Sequence, residues 1–372
     1  MKKILWFACI GMGLLACNQK PEGYTFQGTL TGDVEDGTDV YLRVVGENNQ
    51  PVDIDTTTVE NGKFVFTGQA DTPEMHYVFV DKIMGYTAVI LENGEISLTA
   101  QKDSLGYAEI EGTPQNEVFS DYMDRSKEFT QQSQSIQEDM QRADEATANA
   151  LRDEMNELQE EYKNFELGFI KNHPDALISV LLIDRAISQR VITAEEGQAL
   201  YDALSPEIKE SKTGAMVLEK LEGAKQAEAN EKNTSVGATA PNFSAPNPEG
   251  KQLALNDVLG KVTLVDFWAA WCKPCRAENP NIVKVYEKYH DKGLNIIGVS
   301  LDRTEEAWKK AIAEDGLAWH HVSNVAYFND PIAKLYNVDA IPAAFLLDEN
   351  GVIVAKNLRG PALEEKVASL LQ

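Results

Sequence analysis

Val262-Thr263-Leu264-Val265-Asp266-Phe267-Trp268-Ala269-Ala270-Trp271-Cys272-Lys273-Pro274-Cys275-Arg276-Ala277-Glu278-Asn279-Pro280 decides how this chain is read. It opens as an apolar run of strand length, rich in β-branched and aromatic side chains. A turn of small residues follows, then Cys-x-x-Cys at a helix start. Pro274 suits a first helical turn, where a missing N–H leaves no bond unmade. Residues three apart share a helix face. Cys272 and Cys275 can therefore close to a disulfide or open to a dithiol with little backbone movement. Cys272 would meet the free N–H groups and the positive end of the helix dipole, and both favour a thiolate. Cys272 is thus the expected nucleophile and the exposed member of the pair. Cys275, further along the helix and buried, is expected to resolve the mixed disulfide. Lys273 adds a positive charge close by.

Asp266 interrupts the apolar run. An ionised carboxylate is costly in a central strand, and burial raises its pKa. A buried carboxyl beside a buried thiol suits proton transfer from Cys275. The alternative is a strand-end aspartate that faces water.

The pattern Val265-Asp266-Phe267-Trp268-Ala269-x-Trp271-Cys272-x-Pro274-Cys275 resembles the thioredoxin active-site signature, and residues 240–372 resemble the TlpA/ResA group of extracytoplasmic thiol–disulfide oxidoreductases. The resemblance covers a little over a third of the chain. It implies a thioredoxin fold and gives Asp266 the proton-transfer part of the matching aspartate in cytoplasmic thioredoxins. Many extracytoplasmic relatives carry another residue there, so this chain departs toward the thioredoxin pattern. Glu278 matches a glutamate at the same spacing in ResA-like proteins, where it is associated with the active site; a solvated helix residue is the alternative. Ile341-Pro342 resembles the cis-proline loop, which in this fold lies against the cysteine pair and offers its backbone to a substrate strand. Trp268 and Trp271 are expected to pack around the site, Trp271 on the substrate-facing surface. TlpA-like domains are often grouped with peroxiredoxins, which usually place Thr three residues before the reactive cysteine. Ala269 stands there in this chain, which argues against a peroxidase.

With 372 residues, two or three domains are expected. The net charge of −25 is unevenly spread. From Ser235 onward there are 14 basic and 17 acidic residues, against 20 and 42 before it. The acidic front argues against a nucleic-acid partner and reads as a solvated surface. Lys2, Lys3 and the apolar Ile4–Leu15 form a targeting segment too short for a permanent span. It ends Leu14-Leu15-Ala16-Cys17, which resembles the lipobox of bacterial lipoproteins, so residues 1–17 are read as a signal peptide ending at a lipidated Cys17. Cys9 would leave with that peptide, and only Cys272 and Cys275 would remain as thiols. An exported chain without cysteines for structural disulfides, but with one pair at catalytic spacing, points to redox use. A zinc site needs about four ligands. No second cysteine pair exists and His320-His321 are adjacent, so no metal is expected, and no cofactor.

Residues 24–115 read as short strands and turns, an antiparallel β domain of sandwich or barrel type. Asn61-Gly62 and Asn93-Gly94 stand between such runs as hairpin signals. The stretch resembles the β-rich domain of unassigned function that often precedes TlpA-like modules. His76, alone in an apolar strand, is expected to be a packed histidine. Residues 116–230 read as helix: Leu151, Met155, Leu158, Tyr162 and Phe165 form one stripe, read as a packing face, and Ala176–Ile187 reads as buried. Pro174 and Pro206 are placed at helix starts. Residues 231–250 read as a linker into the α/β thioredoxin fold of residues 235–372, with a possible hairpin over 243–255. In that fold the first two strands should be parallel, joined by a right-handed crossover.

The expected function is electron transfer by dithiol–disulfide exchange in the periplasm of a Gram-negative-type bacterium. The resemblance favours the reducing direction. Its partners would be disulfide-containing periplasmic client proteins, a membrane thiol electron donor, and the membrane itself through the N-terminal lipid. Cytochrome c maturation is one use of such domains. The alternatives are an oxidase or isomerase of the same fold, or a ligand-binding lipoprotein with an auxiliary redox module.

Overall fold

The computed structural model describes residues 21–46 and 50–371, so the targeting segment and Cys17 lie outside the described residues. The chain divides into two compact units, Met1–Leu221 and Glu222–Gln372.

The first unit begins with β1 (Tyr24–Thr31), β2 (Asp39–Val45), β3 (Pro51–Thr58), β4 (Lys63–Gly68), β5 (Glu74–Val80), β6 (Thr87–Leu91), β7 (Gly94–Gln101) and β8 (Glu109–Glu111). They form two four-stranded sheets, ordered β4-β1-β7-β8 and β3-β2-β5-β6. Period-two alternation turns one face of each sheet into a shared core that includes Phe26, Phe64, Phe66, Leu42, Val78 and Leu98. The result is a sandwich. It is not wholly antiparallel, because β1 takes β4 on one side antiparallel and β7 on the other parallel. Asn61-Gly62 closes a tight turn with both φ angles positive at the isolated bridge between Glu60 and Lys63, but it links β3 and β4, which lie in different sheets, so it is not a hairpin of paired strands. Asn93-Gly94 is not a hairpin turn: it links β6 and β7, which lie in different sheets. Asn93 bonds instead to both backbone groups of Ala70. β3 has no buried residue: Val52 and Ile54 alternate with Asp53 and Asp55, yet both apolar side chains are exposed. His76 is buried, with its Nδ1 against the Glu74 carbonyl.

Six helices follow: α1 (Pro114–Met140), α2 (Glu145–Asn172), α3 (Leu177–Ser188), α4 (Ala194–Asp202), α5 (Pro206–Glu210) and α6 (Lys212–Asn233). The stripe on α2 packs against Phe129 and Ile136 of α1. Leu177, Val180 and Ile183 of α3 are fully buried. Asn116, also fully buried, accepts a bond from the Ile90 N–H at 3.0 Å and donates to the Ile90 carbonyl at 2.7 Å. The first helix thus completes the backbone bonding of β6, and helices and sandwich form one unit where separate segments were expected. Pro206 opens α5, whereas Pro174 precedes the start of α3 by three residues and is not a helix start.

The expected linker is part of the second unit. The boundary falls inside α6, not after it. Asn230 donates to the Lys334 carbonyl at 3.0 Å, Asn337 donates to that of Ala227, and Thr234 is fully buried. Phe243 and Ala245 sit in the unit's core. β9 (Ser244–Pro246) and β10 (Gln252–Ala254) pair as a hairpin. Then come β11 (Val262–Trp268), α7 (Lys273–Tyr289), β12 (Leu294–Ser300), α8 (Glu305–Asp315), β13 (His320–Val322), α9 (Pro331–Leu335), β14 (Ala343–Asp348), β15 (Ile353–Lys356) and α10 (Pro361–Leu370). The sheet order is β13-β12-β11-β14-β15, with β11 parallel to β12 and antiparallel to β14. Every residue of β11 is buried. Leu264 and Trp268 face one core with both cysteines, while Val265 and Phe267 face the other.

β13, too short to show a pattern, pairs with β12 and sets His321 opposite Gly298. A Cβ on Gly298 would stand 2.6 Å from His321 Nδ1 and 3.0 Å from Trp268 Nε1. Both rings lean over the bare backbone, so this position needs glycine for space. Gly298→Ala should destabilise the second unit by about 1–3 kcal/mol through overpacking. The check is urea unfolding followed by tryptophan fluorescence, since Trp268, Trp271, Trp308 and Trp319 all lie in this unit.

Candidate active site

β11 delivers the chain through Ala269 and Ala270 to the start of α7, where Cys272 is the N-cap residue. Its Sγ accepts the Cys275 N–H at 3.2 Å, and its carbonyl accepts the Arg276 N–H at 3.0 Å. Cys272 and Cys275 are joined as a disulfide, with Cα atoms 5.3 Å apart. A thiolate released at Cys272 would keep the helix N-terminus as its stabilising environment. Exposure does not separate the two cysteines as the sequence suggested: Cys272 is 3% exposed and Cys275 2%. Cys272 is covered because the turn folds it into the core with Trp268 and Ala269, against which Ile341 also packs. What distinguishes them is position, cap against first turn.

The turn is fixed by residues the sequence reading missed. Asp302, fully within the structure after β12, accepts the Ala270 N–H with both carboxylate oxygens, at 3.1 and 3.0 Å. Ser300 donates to the same carboxylate at 2.9 Å. Burial pushes the Asp302 carboxyl upward, and its bonds from Ala270 and Ser300 oppose that. Arg276 reaches back to the Ala270 carbonyl and forms ion pairs with Asp315 and Glu314 of α8. Trp271 donates its Nε1–H to the Leu301 carbonyl at 3.3 Å and remains 44% exposed. Its ring lies 5.2 Å from that of Tyr327, over which the Arg303 guanidinium sits at 4.0 Å. No local pattern could have marked Asp302, Arg303 or Tyr327, because each meets the turn only through the fold.

Asp266 is 4% exposed and does not face water. It lies on the face of β11 that carries Leu264 and Trp268, the face turned to the cysteines. Burial pushes its carboxyl up to about 7; Arg359 lowers it and Glu278 raises it. Glu278 is not simply solvated: half-buried on α7, it accepts the Gly360 N–H at 2.8 Å and an N–H of Asn281 at 2.9 Å. The Ile341–Pro342 peptide bond is cis. Arg359 donates to the Pro342 carbonyl. The structure therefore gathers Cys272, Cys275, Asp266, Glu278, Trp271 and the Ile341–Pro342 loop about the N-terminal end of α7, and adds Arg359. Lys273 is exposed beside them.

The raised pKa has a defined sign for stability. The native state holds the Asp266 proton more tightly than the unfolded chain does. Stability owed to this group is complete below about pH 4, falls as pH rises towards about 7, and is level above. Asp266→Asn should therefore stabilise the oxidised protein above pH 8, by up to roughly 4 kcal/mol at 1.36 kcal/mol per pKa unit, and scarcely change it at pH 4. Urea denaturation at the two pH values reads the difference. An equal effect at both would place the aspartate outside the buried site.

Residues 236–356 match the AhpC/TSA family, and residues 24–119 match a domain of unknown function. Thiol-disulfide oxidoreductase ResA of Bacillus cereus is 34% identical over 144 residues, 39% of this chain and 81% of that protein. Thioredoxin-like protein YneN of Bacillus subtilis is 36% identical over 119 residues, 32% of this chain and 68% of that one. Among solved structures, the thioredoxin domain of a thiol-disulfide oxidoreductase from Bacteroides vulgatus is 41% identical and covers 37% of this chain and 99% of its own, with a TM-score of 0.35. A thiol-disulfide oxidoreductase from Bacteroides fragilis is 33% identical, covering 36% and 98%, with a TM-score of 0.34. With its paired cysteines at the head of α7 and this relationship to ResA, the chain belongs, through its C-terminal unit, to the ResA family of thiol–disulfide oxidoreductases.

Proposed function

We propose that this protein is a lipid-anchored periplasmic reductase of protein disulfides, with Cys272 and Cys275 as its working dithiol. The observation that carries the reading is the placement of a proton-holding carboxyl, Asp266, on the buried face shared with both cysteines, at the N-terminus of one helix. An inert core disulfide has no use for such a group, and burying it costs stability.

Reduction of a client disulfide proceeds by two thiol–disulfide exchanges. The Cys272 thiolate attacks one sulfur of the client disulfide, forms a mixed disulfide and expels the other client sulfur as a thiolate. Asp266, as carboxylate, takes the Cys275 proton. The Cys275 sulfur then attacks Cys272 Sγ, the Cys272–Cys275 disulfide closes, and the second client thiolate leaves. Two electrons pass from the dithiol to the client, whose thiolates take up two protons. A base with a pKa of about 7 is matched to neutral working pH, where both of its forms are populated. The cis Ile341–Pro342 loop offers backbone to the client strand, and Trp271 supplies exposed apolar surface beside Cys272. A membrane thiol carrier would restore the dithiol. The Lys2-Lys3 start, the short apolar Ile4–Leu15 run and the Leu-Ala-Cys17 sequence support export and the anchor.

Cys275→Ser should accumulate mixed disulfides between Cys272 and client proteins, because attack proceeds and resolution does not. Cys272→Ser should accumulate none. Mass mapping of the trapped adducts identifies the sulfur, and adducts through Cys275 in the Cys272→Ser protein would reverse the two roles. The direction of electron flow is read from the reduction potential of the pair. A reductase should lie well below about −200 mV, towards thioredoxin at roughly −270 mV, and an oxidase near roughly −120 mV. The anchor is tested separately: Cys17→Ala should abolish lipid labelling and release the protein from the membrane fraction.

A further inference from the structure

Asp266 and the Ile341–Pro342 loop belong to different strands, and one side chain outside both addresses them. Arg359 sits between β15 and α10, half-buried, and its guanidinium donates to the Pro342 carbonyl. Its charge acts on Asp266. The backbone that carries it is clamped on two sides. Asn357, at φ 56°, donates its N–H to the Ala344 carbonyl at 2.7 Å, and its side chain accepts the Ala344 N–H at 3.0 Å. Gly360, at φ 54°, donates its N–H to Glu278 at 2.8 Å, and its carbonyl accepts from Asn281 at 3.4 Å. One clamp is β14, the strand that leads out of the proline loop. The other is α7, the helix that begins at the cysteines. Four hydrogen bonds are thus spent on fixing a short segment whose central side chain is a cation turned towards the site. Surface stability does not call for such an arrangement, since an exposed arginine would serve as well.

We propose that Arg359 is a positioning residue of the exchange site, holding the Pro342 carbonyl for client docking and keeping a fixed positive charge at the head of β14, the strand that pairs with Asp266 through Ala344. The proposal rests on the exchange reading above and adds a residue to it. The charged groups that bear on Asp266 are Arg359, from the segment before α10, and Glu278, from α7, with opposite effects. A guanidinium supplies both functions because it is planar, always charged and has several donors. The same group joins the loop that receives a client strand to the base that serves Cys275.

The test uses the full chain, with its Asp266 carboxyl followed by carbon-13 NMR and assigned by its loss in Asp266→Asn. In Arg359→Met the titration midpoint should rise by roughly one pH unit or more, the size of effect an opposite charge at close range produces. Mixed-disulfide resolution at pH 6 should slow by a similar factor, roughly tenfold, and recover by pH 9. In Arg359→Lys the midpoint should stay near that of the parent, because the charge remains. KM for a client should rise in Arg359→Met, because the donor to the Pro342 carbonyl is lost. Glu278→Gln should move the midpoint the other way. An unmoved midpoint in Arg359→Met, or a rise in Arg359→Lys as large as in Arg359→Met, overturns the proposal. Should Met at 359 unfold the chain, Arg359→Gln carries the same expectation for the midpoint. The NMR titration needs no client, so its outcome stands apart from whether the protein reduces disulfides at all.

Discussion

The second unit depends on one costly act of burial. Asp266 occupies the middle strand of a five-stranded sheet, in a run whose every residue is buried. Water cannot solvate it, so its proton is held up to about neutral pH. Nothing in the packing of β11 requires a carboxyl there, and Leu264 and Trp268 on the same face show what an ordinary core residue would be. The surrounding structure is arranged to tolerate this group. Glu278 and Arg359 stand near it with opposite charges, and each is tied to backbone: Glu278 to Gly360, Arg359 to Pro342. Burying the carboxyl gives up stability at neutral pH and above, and the hydrophobic core of the sheet makes up the loss.

The turn before Cys272 is built by a second set of contacts. Asp302 holds the Ala270 N–H from one side and Arg276 holds the Ala270 carbonyl from the other. Arg276 is in turn fixed by Asp315. A side chain at the end of a turn is as well placed as its supports, and here those supports come from the ends of β12 and α8. Exposed Trp271, with Tyr327, Phe328 and Arg303 around it, forms an aromatic rim beside the disulfide.

The first unit presents a different balance. Its sandwich core is aromatic, with Phe26, Phe64 and Phe66 packed against one another. Its helices are bound to it through Asn116, a buried amide that both donates to and accepts from Ile90. Deeper in the helices, Tyr122 shares hydrogen bonds with Tyr162, Glu166 and Arg185. These buried polar groups are satisfied, which is the condition for keeping them in a core.

What the sequence determined by itself was carried by local pattern, where that pattern needed no distant partner. The apolar run before Cys-x-x-Cys, the glycine-poor stripe on α2 and the Asn61-Gly62 turn act over a few residues, so their spacing is enough to read them, whereas the Ile341-Pro342 loop was read from the family resemblance. Asp266 was legible for the same reason, as a charge where a strand should have none. The tertiary structure decided what depends on partners distant in the chain. It made β1 and β7 parallel, turned Asn93-Gly94 into a passage between sheets, drew the end of α6 into the second unit and covered Cys272. It also brought Arg359 to Pro342, 17 residues away, and Asp302 to Ala270, 32 residues away. Isolated polar residues in loops carry no periodicity, and only closure of the sheet brings them to the groups they serve.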